Sequence, residues 1–314
     1  MIRAGVIGAN GYTGSETVRW LLEHPDVSLD CVVSRTHAGR PLADVVPALA
    51  GLTDLRCEDV DVGRLEKLDA VFLATTHGAA RELATMLERA PLLLDLSMDH
   101  RLEANWAYGL VEWNAERIAM SRRIAVPGCF ATAILLALAP FVAAGAVGGP
   151  VSVAAATGST GTGAAPQPAA HHPERFANLR TYKVLDHQHL AEMRSCLGRL
   201  GGSPPIHFVP ISAPVDRGIL ATTFVPTDGD GAAIVERAYA HAPLVRIRRE
   251  SPEIRHVRGT AFADVGVTQG DGVAVVVSAI DNLGKGAASQ AVSCLNLVHG
   301  LPVDRGLRRI PCTP

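Results

Sequence analysis

The chain has 314 residues, 48% of them hydrophobic and 19% charged, which rules out global disorder and provides for a sizeable core. With 29 Lys+Arg against 31 Asp+Glu the formal charge is −2, so a phosphate-tracking basic face is excluded, and aromatics at 4% leave little for base stacking. The length exceeds the ~100–200 residues usual for one domain, so two are expected.

In chain order, Ile2–Ile7 is a short apolar strand ending at glycine, and a helical pattern follows through Val18, Leu21 and Leu22. Ser28–Val33, Ala70–Ala74 and Leu92–Leu96 repeat the strand signal, with a helix expected over Ala79–Glu88. Strands that are apolar at consecutive positions and separated by helices point to a parallel sheet covered on both faces, a Rossmann-type doubly wound α/β domain. From Ile124 to Ala170 there is no Asp, Glu, Lys or Arg. Pro127, Gly128 and Pro140 break this run below the ~18–20 apolar residues of a membrane span, so it reads as a buried helix, a turn and a buried strand. Beyond it, Val151–Ala156, Gly218–Val225, Ala261–Val267 and Val273–Ile280 read as strands, with helices chiefly at His189–Leu200 and Ala232–His241. This is the pattern of an α+β domain. Pro166–Thr181 is polar and His/Arg-rich and reads as a loop, while Gly286–Val298 is helical.

The six cysteines, Cys31, Cys57, Cys129, Cys196, Cys294 and Cys312, are scattered and include no C-x-x-C pair. They fit reduced thiols of a cytoplasmic protein, not a disulfide framework or zinc site. The N-terminal apolar run is too short for a signal peptide and is broken by glycine.

Gly8-Ala9-Asn10-Gly11-Tyr12-Thr13-Gly14 links the first strand to the first helix. Glycines there permit a tight turn and let backbone N–H groups reach a pyrophosphate at the helix N-terminus. The spacing is G-x-x-G-x-x-G, so a ligand-free turn is the plain alternative. The end of the second strand reads Val33-Ser34-Arg35-Thr36-His37. It lacks the carboxylate that bonds the ribose 2′-hydroxyl of NAD, while Ser34 and Arg35 suit the 2′-phosphate of NADP(H).

After Pro127 and Gly128, Cys129 opens an apolar helix, where unpaired N–H groups and the helix dipole favour a thiolate. A buried structural thiol is the commoner fate and suits Cys31, Cys196 and Cys294 better. His187, His189 and Glu192 lie in DHQHLAE, His189 and Glu192 on one helix face, and a histidine is the usual partner of a reactive thiol. His171 and His172 form a second pair, but no zinc-type spacing appears and no metal is expected. The Gly158–Gly163 segment, with Ser159, Thr160 and Gly161, suits an oxyanion or phosphate cradle, although a flexible loop has the same composition. Arg217, Arg175 and Arg180 are candidates to hold a carboxylate or phosphate, and Arg217, just before a strand, is the first choice.

Ile124–Pro140, IAVPGCFATAILLALAP, closely resembles the active-site signature of N-acetyl-γ-glutamyl-phosphate reductases. GANGYTGSE, SRTHAGRPL, LLDLSMDHRL, YGLVEWN, GSTGTG, YKVLDHQHLAEM, DRGILATTF and DNLGKGAASQAV agree in order, so the resemblance spans nearly the whole chain. It implies an NADP-dependent acyl-phosphate reductase of arginine biosynthesis. It also implies an NADP-binding domain over residues 1–145 with 285–314, and a catalytic and oligomerisation domain over 146–284 like that of semialdehyde and glyceraldehyde-phosphate dehydrogenases. Cys129 matches the nucleophile, His187 and His189 the H-x-H pair, with His187 favoured as acid–base, and Asn282 a residue near the nicotinamide. His189 and Glu192 are then expected at the substrate. Cys129 attacks the acyl phosphate, phosphate leaves, and the thioester is reduced to an aldehyde. HHPER and GTAFADVG resemble the sister enzymes of lysine biosynthesis, which reduce a carrier-linked aminoadipyl phosphate. The acyl group therefore stays open among N-acetyl, N-succinyl and carrier-linked forms, and an acidic carrier partner is implied only in the last case. Otherwise the partners implied are the acyl phosphate, inorganic phosphate and further copies of the chain as a homodimer or homotetramer, with no nucleic acid or membrane. Two rivals are weighed: a non-catalytic NADP-binding redox sensor, which has no use for Cys129 beside a histidine pair, and a thiol hydrolase, which has no use for the glycine loop.

Overall fold

The computed structural model describes residues 1–311; Cys312 lies outside the described residues. The chain divides into two units. The first comprises Met1–Pro127 and Ala287–Leu307, the second Gly128–Gly286 with a short segment from Arg308.

In the first unit, β1 (Ile2–Ile7), β2 (Val27–Val33), β3 (Cys57–Glu58), β4 (Ala70–Leu73), β5 (Leu93–Asp95), β6 (Ala107–Tyr108) and β7 (Arg123–Ala125) form one sheet. Its order is β3-β2-β1-β4-β5-β7-β6, and every pairing is parallel. All four residues of β4 are buried, as a strand covered on both faces requires. β1 is flanked by β2 on one side and β4 on the other, so the order reverses there, and its carboxyl end is where open α/β sheets of this kind bind ligands. Helix Ser289–Val298 belongs to this unit and is buried nearly all round. Its polar residues are satisfied inside: Gln290 donates to the Gly109 carbonyl (2.8 Å), and Asn296 pairs through Oδ1 with His24 Nε2 (3.0 Å).

The second unit holds β8 (Val151–Thr157), β9 (Arg180–Thr181), β10 (Ile206–Ser212), β11 (Ile219–Pro226), β12 (Val245–Arg248), β13 (Ala263–Gly270) and β14 (Val273–Ile280). The order is β12-β13-β14-β11-β8-β10-β9, with β8/β10 and β12/β13 parallel and the rest antiparallel. Odd-numbered residues of β8 and β11 are buried and even-numbered ones less so, which marks a sheet packed on one face.

Helix Cys129–Ala143 packs against β11 and β14 and is buried from Phe130 to Val142. Pro140, expected to break the run, lies inside this helix. Proline cannot donate to the carbonyl four residues back. That carbonyl, on Leu136, accepts the Tyr239 hydroxyl instead (2.6 Å), while the Ala133 carbonyl also accepts from Ser278 Oγ (2.7 Å). These contacts place the helix in the second unit, so the division falls at Gly128 and not near residue 145. No helix among the described residues is long and apolar enough to cross a membrane. The segment read as a loop contains two helical turns, Pro168–Ala170 and His172–Arg175, and the edge strand β9.

Candidate active site

In the first unit, the candidate cofactor residues lie at the switch point. Gly8, at φ +89°, continues β1 through a bond from its N–H to the Val33 carbonyl (2.9 Å), and Gly11 is the N-cap of helix Tyr12–Leu22. That helix has neither a side-chain cap nor an acidic residue in its first turn, which leaves its N–H groups and dipole available to an anion. A Cβ at position 14 would lie 2.0 Å from the Gly8 carbonyl oxygen, and one at position 8 would lie 2.3 Å from that of Ala74. The loop itself therefore demands those two glycines. At Gly11 the nearest atom is 3.6 Å away, so the fold does not require glycine there, and its bare surface suits a pyrophosphate. Asn10 and Tyr12 are exposed and Thr13 half-buried. Ser34 Oγ donates to Asn10 Oδ1 (3.0 Å), joining the glycine loop to the end of β2, where exposed Arg35 begins a short helical turn. The nearest carboxylate on β3, Glu58, is engaged by Arg64 (2.5 Å). The residues present fit a dinucleotide, and among the described residues Val33–His37, at the end of β2, include no carboxylate.

In the second unit, Cys129 is the first residue of its helix and is half-buried. Cys31, Cys57, Cys196 and Cys294 are buried. Burial pushes the Cys31 and Cys196 thiols up to about 12 and raises that of Cys57, so these three are poor nucleophiles. Gly286 is packed on Cys129: a Cβ there would meet the Cys129 Cβ at 2.8 Å. Sequence reasoning did not single it out, although it lies in the GKGAA run.

His187 and His189 are both buried, their rings 4.6 Å apart. His187 is packed edge-on to Phe130 and Phe208 (both 5.4 Å) and Tyr182 (5.9 Å). Burial, aided by the Lys183 charge, lowers it from 6.5 to about 4. His187 is thus neutral near pH 7. Its Nδ1 accepts the His189 backbone N–H (3.2 Å), which assigns the proton to Nε2. His189 has a carboxylate behind it, with Nε2 3.7 Å from Glu192 Oε1. The other Glu192 oxygen accepts the Gly128 N–H (3.1 Å) at the start of the Cys129 helix. Glu192, expected at the substrate, is buried and has these two protein partners.

Tyr182 is a further residue that the composition of its segment did not reveal. Burial, and then the charge of Cys129, push its phenol up, so it remains a neutral hydroxyl within electrostatic reach of the sulfur. The segment that carries it is strained: Ala177, Lys183 and Leu185 adopt φ between 44° and 61°.

Ser159, Thr160 and Gly161 form a helical turn after β8. Thr160 Oγ1 donates to the Asp216 carbonyl (2.8 Å) and accepts from Asn282 Nδ2 (3.0 Å), while Asn282 Oδ1 accepts the Gly218 N–H (2.7 Å). Asn282, expected near the nicotinamide, is buried and ties this turn to the start of β11. Arg217, expected to hold a substrate anion, pairs with buried Asp281 (2.8 Å). Asp281 also accepts the N–H groups of Leu283 (2.9 Å), Gly284 (2.8 Å) and Gly259 (2.6 Å). Among the described residues no group of three or more His, Cys, Asp or Glu is placed to hold a metal.

A switch-point glycine loop in one unit and a cysteine–histidine centre on a mixed sheet in the other define an NAD(P)-binding oxidoreductase of the semialdehyde dehydrogenase class. Family models described as the NAD binding domain and the dimerisation domain of semialdehyde dehydrogenase match residues 3–121 and 129–282. Aspartate semialdehyde dehydrogenase II from Vibrio cholerae superposes with a TM-score of 0.77 over 96% of this chain and 98% of that chain, at 18% identity. A probable aspartate-semialdehyde dehydrogenase from Pseudomonas aeruginosa gives 0.76 over 96% and 99%, at 22% identity. The N-acetyl-gamma-glutamyl-phosphate reductase of Geobacter sp. (strain M21) is 39% identical over all of both chains. That of Methanosarcina mazei is 39% identical over 98% of this chain and 97% of its own. The chain belongs to the N-acetyl-gamma-glutamyl-phosphate reductase family.

Proposed function

We propose that the chain reduces N-acetyl-γ-glutamyl phosphate to N-acetylglutamate 5-semialdehyde and phosphate with NADPH, a step of arginine biosynthesis. The observation that supports this best is a half-buried thiol at a helix start whose Gly128 N–H is held by Glu192, which also pairs with His189, with the Tyr182 hydroxyl within electrostatic reach of the sulfur. The Cys129 sulfur attacks the acyl carbon, the carbon–oxygen bond to phosphate breaks, and a thioester forms. The helix N-terminus stabilises the attacking thiolate and again the thiolate released at the end. NADPH, when bound, supplies the hydride that the thioester carbonyl accepts. The resulting oxyanion on Cys129 is stabilised by hydrogen-bond donors, and Tyr182 Oη and His187 Nε2 are our candidates. We assign proton transfer to His189, which has a carboxylate behind it, in place of His187, whose burial disfavours the protonated form.

NADP(H) is preferred to NAD(H) because Ser34 and Arg35 stand where a carboxylate would bond a 2′-hydroxyl. Gly8, Asn10, Gly11, Tyr12, Thr13 and Gly14 hold the pyrophosphate. We place the enzyme in the cytoplasm as a homodimer or homotetramer. The face of the second sheet that carries Ala154, Ala156, Val209, Ile211, Leu220 and Phe224 is its contact surface, since these apolar side chains are not fully buried within the chain. The deciding assay is phosphate- and NADP⁺-dependent oxidation of N-acetylglutamate 5-semialdehyde. Higher turnover with the N-succinyl or a carrier-linked aminoadipate semialdehyde would move the acyl assignment, and no phosphate dependence with any of them would overturn the reading.

A further inference from the structure

Arg175 differs from the other arginines of the catalytic unit that lean on buried groups. Arg217 pairs with buried Asp281 and Arg246 with buried Asp264. Arg175 is itself more than nine-tenths buried, yet it makes no ion pair among the described residues. Its Nη1 donates to Ser212 Oγ (2.6 Å), and its Nη2 donates to the carbonyls of Thr157 (3.1 Å) and Ala213 (3.0 Å), all uncharged acceptors. Its Nε is buried with no hydrogen-bond partner, and so is the Oγ1 of Thr157. A guanidinium taken out of water without a counter-charge is costly, and an unsatisfied donor adds to the cost. Burial and the nearby Arg180 charge both work against its protonated form.

The place of this cluster in the fold gives it a use. Thr157 ends β8 and leads at once into the Ser159–Thr162 turn. A Cβ at Gly161 would lie 3.6 Å from Thr157 Oγ1, so the hydroxyl faces that turn. Arg175 lies in the segment that runs on to Tyr182 and His187, and its three bonds hold that segment to the ends of β8 and β10.

We propose that Arg175 and the Thr157 hydroxyl form an oxyanion subsite that receives a phosphoryl or carboxylate group of the substrate, which brings the counter-charge the chain lacks. This rests on the acyl-phosphate reductase reading above and assigns to Arg175 the anion that sequence reasoning gave to Arg217. Phosphoryl and carboxylate share the chemistry of a planar or tetrahedral oxyanion, and the test separates them.

The experiment uses the full chain and its Arg175→Gln, Arg175→Lys and Thr157→Val variants. Thermal unfolding with inorganic phosphate and with acetate reads binding without turnover. A stabilisation of the wild type by either anion that Arg175→Gln abolishes and Arg175→Lys partly keeps supports the subsite. In the aldehyde-oxidising direction, Arg175→Gln raises a KM about 10- to 100-fold, the usual consequence of losing a hydrogen bond to a charged group. A rise in the KM for phosphate identifies the phosphoryl group, and a rise in that for the aldehyde identifies its carboxylate. If Arg175→Gln does not fold, Thr157→Val decides: a rise of several-fold in the same KM supports the subsite. Anion stabilisation and both KM values unchanged within twofold, in whichever of these variants folds, overturns it. Should the wild type show no phosphate-dependent oxidation while its anion stabilisation still depends on Arg175, the reductase reading fails and the subsite stands.

Discussion

The glycine loop of the first unit and the cysteine centre of the second solve different problems with different materials. The loop works through backbone: N–H groups at the head of helix Tyr12–Leu22 and two glycines whose missing Cβ atoms make room for carbonyls. Its parts lie within seven consecutive residues. The cysteine centre works through side chains: Cys129 comes from one stretch, and Tyr182, His187, His189 and Glu192 from another more than 50 positions further on. A site made of backbone is robust to most side-chain changes but not to an added methyl. A site made of converging side chains is lost one function at a time. The largest effect should therefore come from the sulfur. Cys129→Ser replaces a thiol that can ionise near neutral pH with a hydroxyl that cannot. Turnover should fall by at least about 10³-fold, while NADPH affinity, measured by fluorescence titration, stays within twofold. Full activity in the serine variant, or lost NADPH binding, would collapse the distinction between the two regions.

The histidines come next. His189→Ala should cost about 10²- to 10⁴-fold in turnover, the usual range for a lost acid–base group. Glu192→Gln should follow it in the same direction, with a changed pH–rate profile, because the carboxylate both faces His189 and holds the Gly128 N–H at the start of the Cys129 helix. His187→Ala should cost less, since His187 contributes a hydrogen bond in its neutral form. If the order is reversed, His187 moves the proton after all.

Burial of His187 also has a consequence for stability. Its value is about 4 in the folded chain against 6.5 when exposed, so between these limits the unfolded chain binds the proton and the folded chain does not. Stability should be unaffected by this group above about pH 6.5 and should fall as pH drops from there towards 4, by at most ~3 kcal/mol. Burial lowers His24 as well, which adds to the same slope. His187→Phe, which suits its aromatic surroundings, should flatten the acid limb in urea titrations at pH 7, 6 and 5 without removing it. An unchanged slope would mean that His187 is not held neutral.

Much of the architecture was legible beforehand, for reasons tied to particular elements. β1, β4 and β14 are runs long and apolar enough to be recognised without their partners, and β14 was placed at the bounds observed. β3 and β6 have two residues each, too few for any periodicity, and exist because neighbouring strands offer edges to pair with. Pro140 misled because its cost depends on whether another group takes over the Leu136 carbonyl, and the group that does, Tyr239, is 103 positions away. At the site, the glycine loop, Cys129 and the histidine pair were visible as local patterns. The different surroundings of His187 and His189 were not, because which ring Phe208 packs against and which one meets Glu192 is set by the tertiary fold. The same holds for Arg217 and Arg175: both are arginines near strand ends, and only the structure distinguishes the one with a carboxylate from the one without.

The loop can be tested at the level of single methyl groups. Gly14→Ala places a Cβ 2.0 Å from a backbone oxygen that cannot rotate away, so it should destabilise the chain by about 1–3 kcal/mol and weaken NADPH binding. Gly11→Ala has 3.6 Å of clearance and should leave stability within about 0.5 kcal/mol while still weakening NADPH binding, because the methyl would occupy the surface meant for the pyrophosphate. Equal NADPH affinity in Gly11→Ala and the wild type would place the dinucleotide elsewhere.

The smallest expected effect lies at the edge of that loop, where on our proposal a side chain, not backbone, selects between the two cofactors. Arg35 is exposed, follows a buried Ser34 that is bonded to Asn10, and has no carboxylate in the place that NAD enzymes use. An exposed arginine facing a dianionic phosphate acts through a solvent-screened pair of hydrogen bonds, worth about 1–2 kcal/mol. Arg35→Asp should therefore raise the KM for NADPH about tenfold and narrow the preference over NADH, with kcat for the better cofactor changed less than threefold. On the same proposal Ser34→Ala should weaken NADPH more than NADH, since NADH offers that hydroxyl an uncharged 2′-hydroxyl in place of a phosphate. If both variants use the two cofactors in the same ratio as the wild type, the end of β2 does not read the 2′ position, and the backbone loop alone binds the dinucleotide.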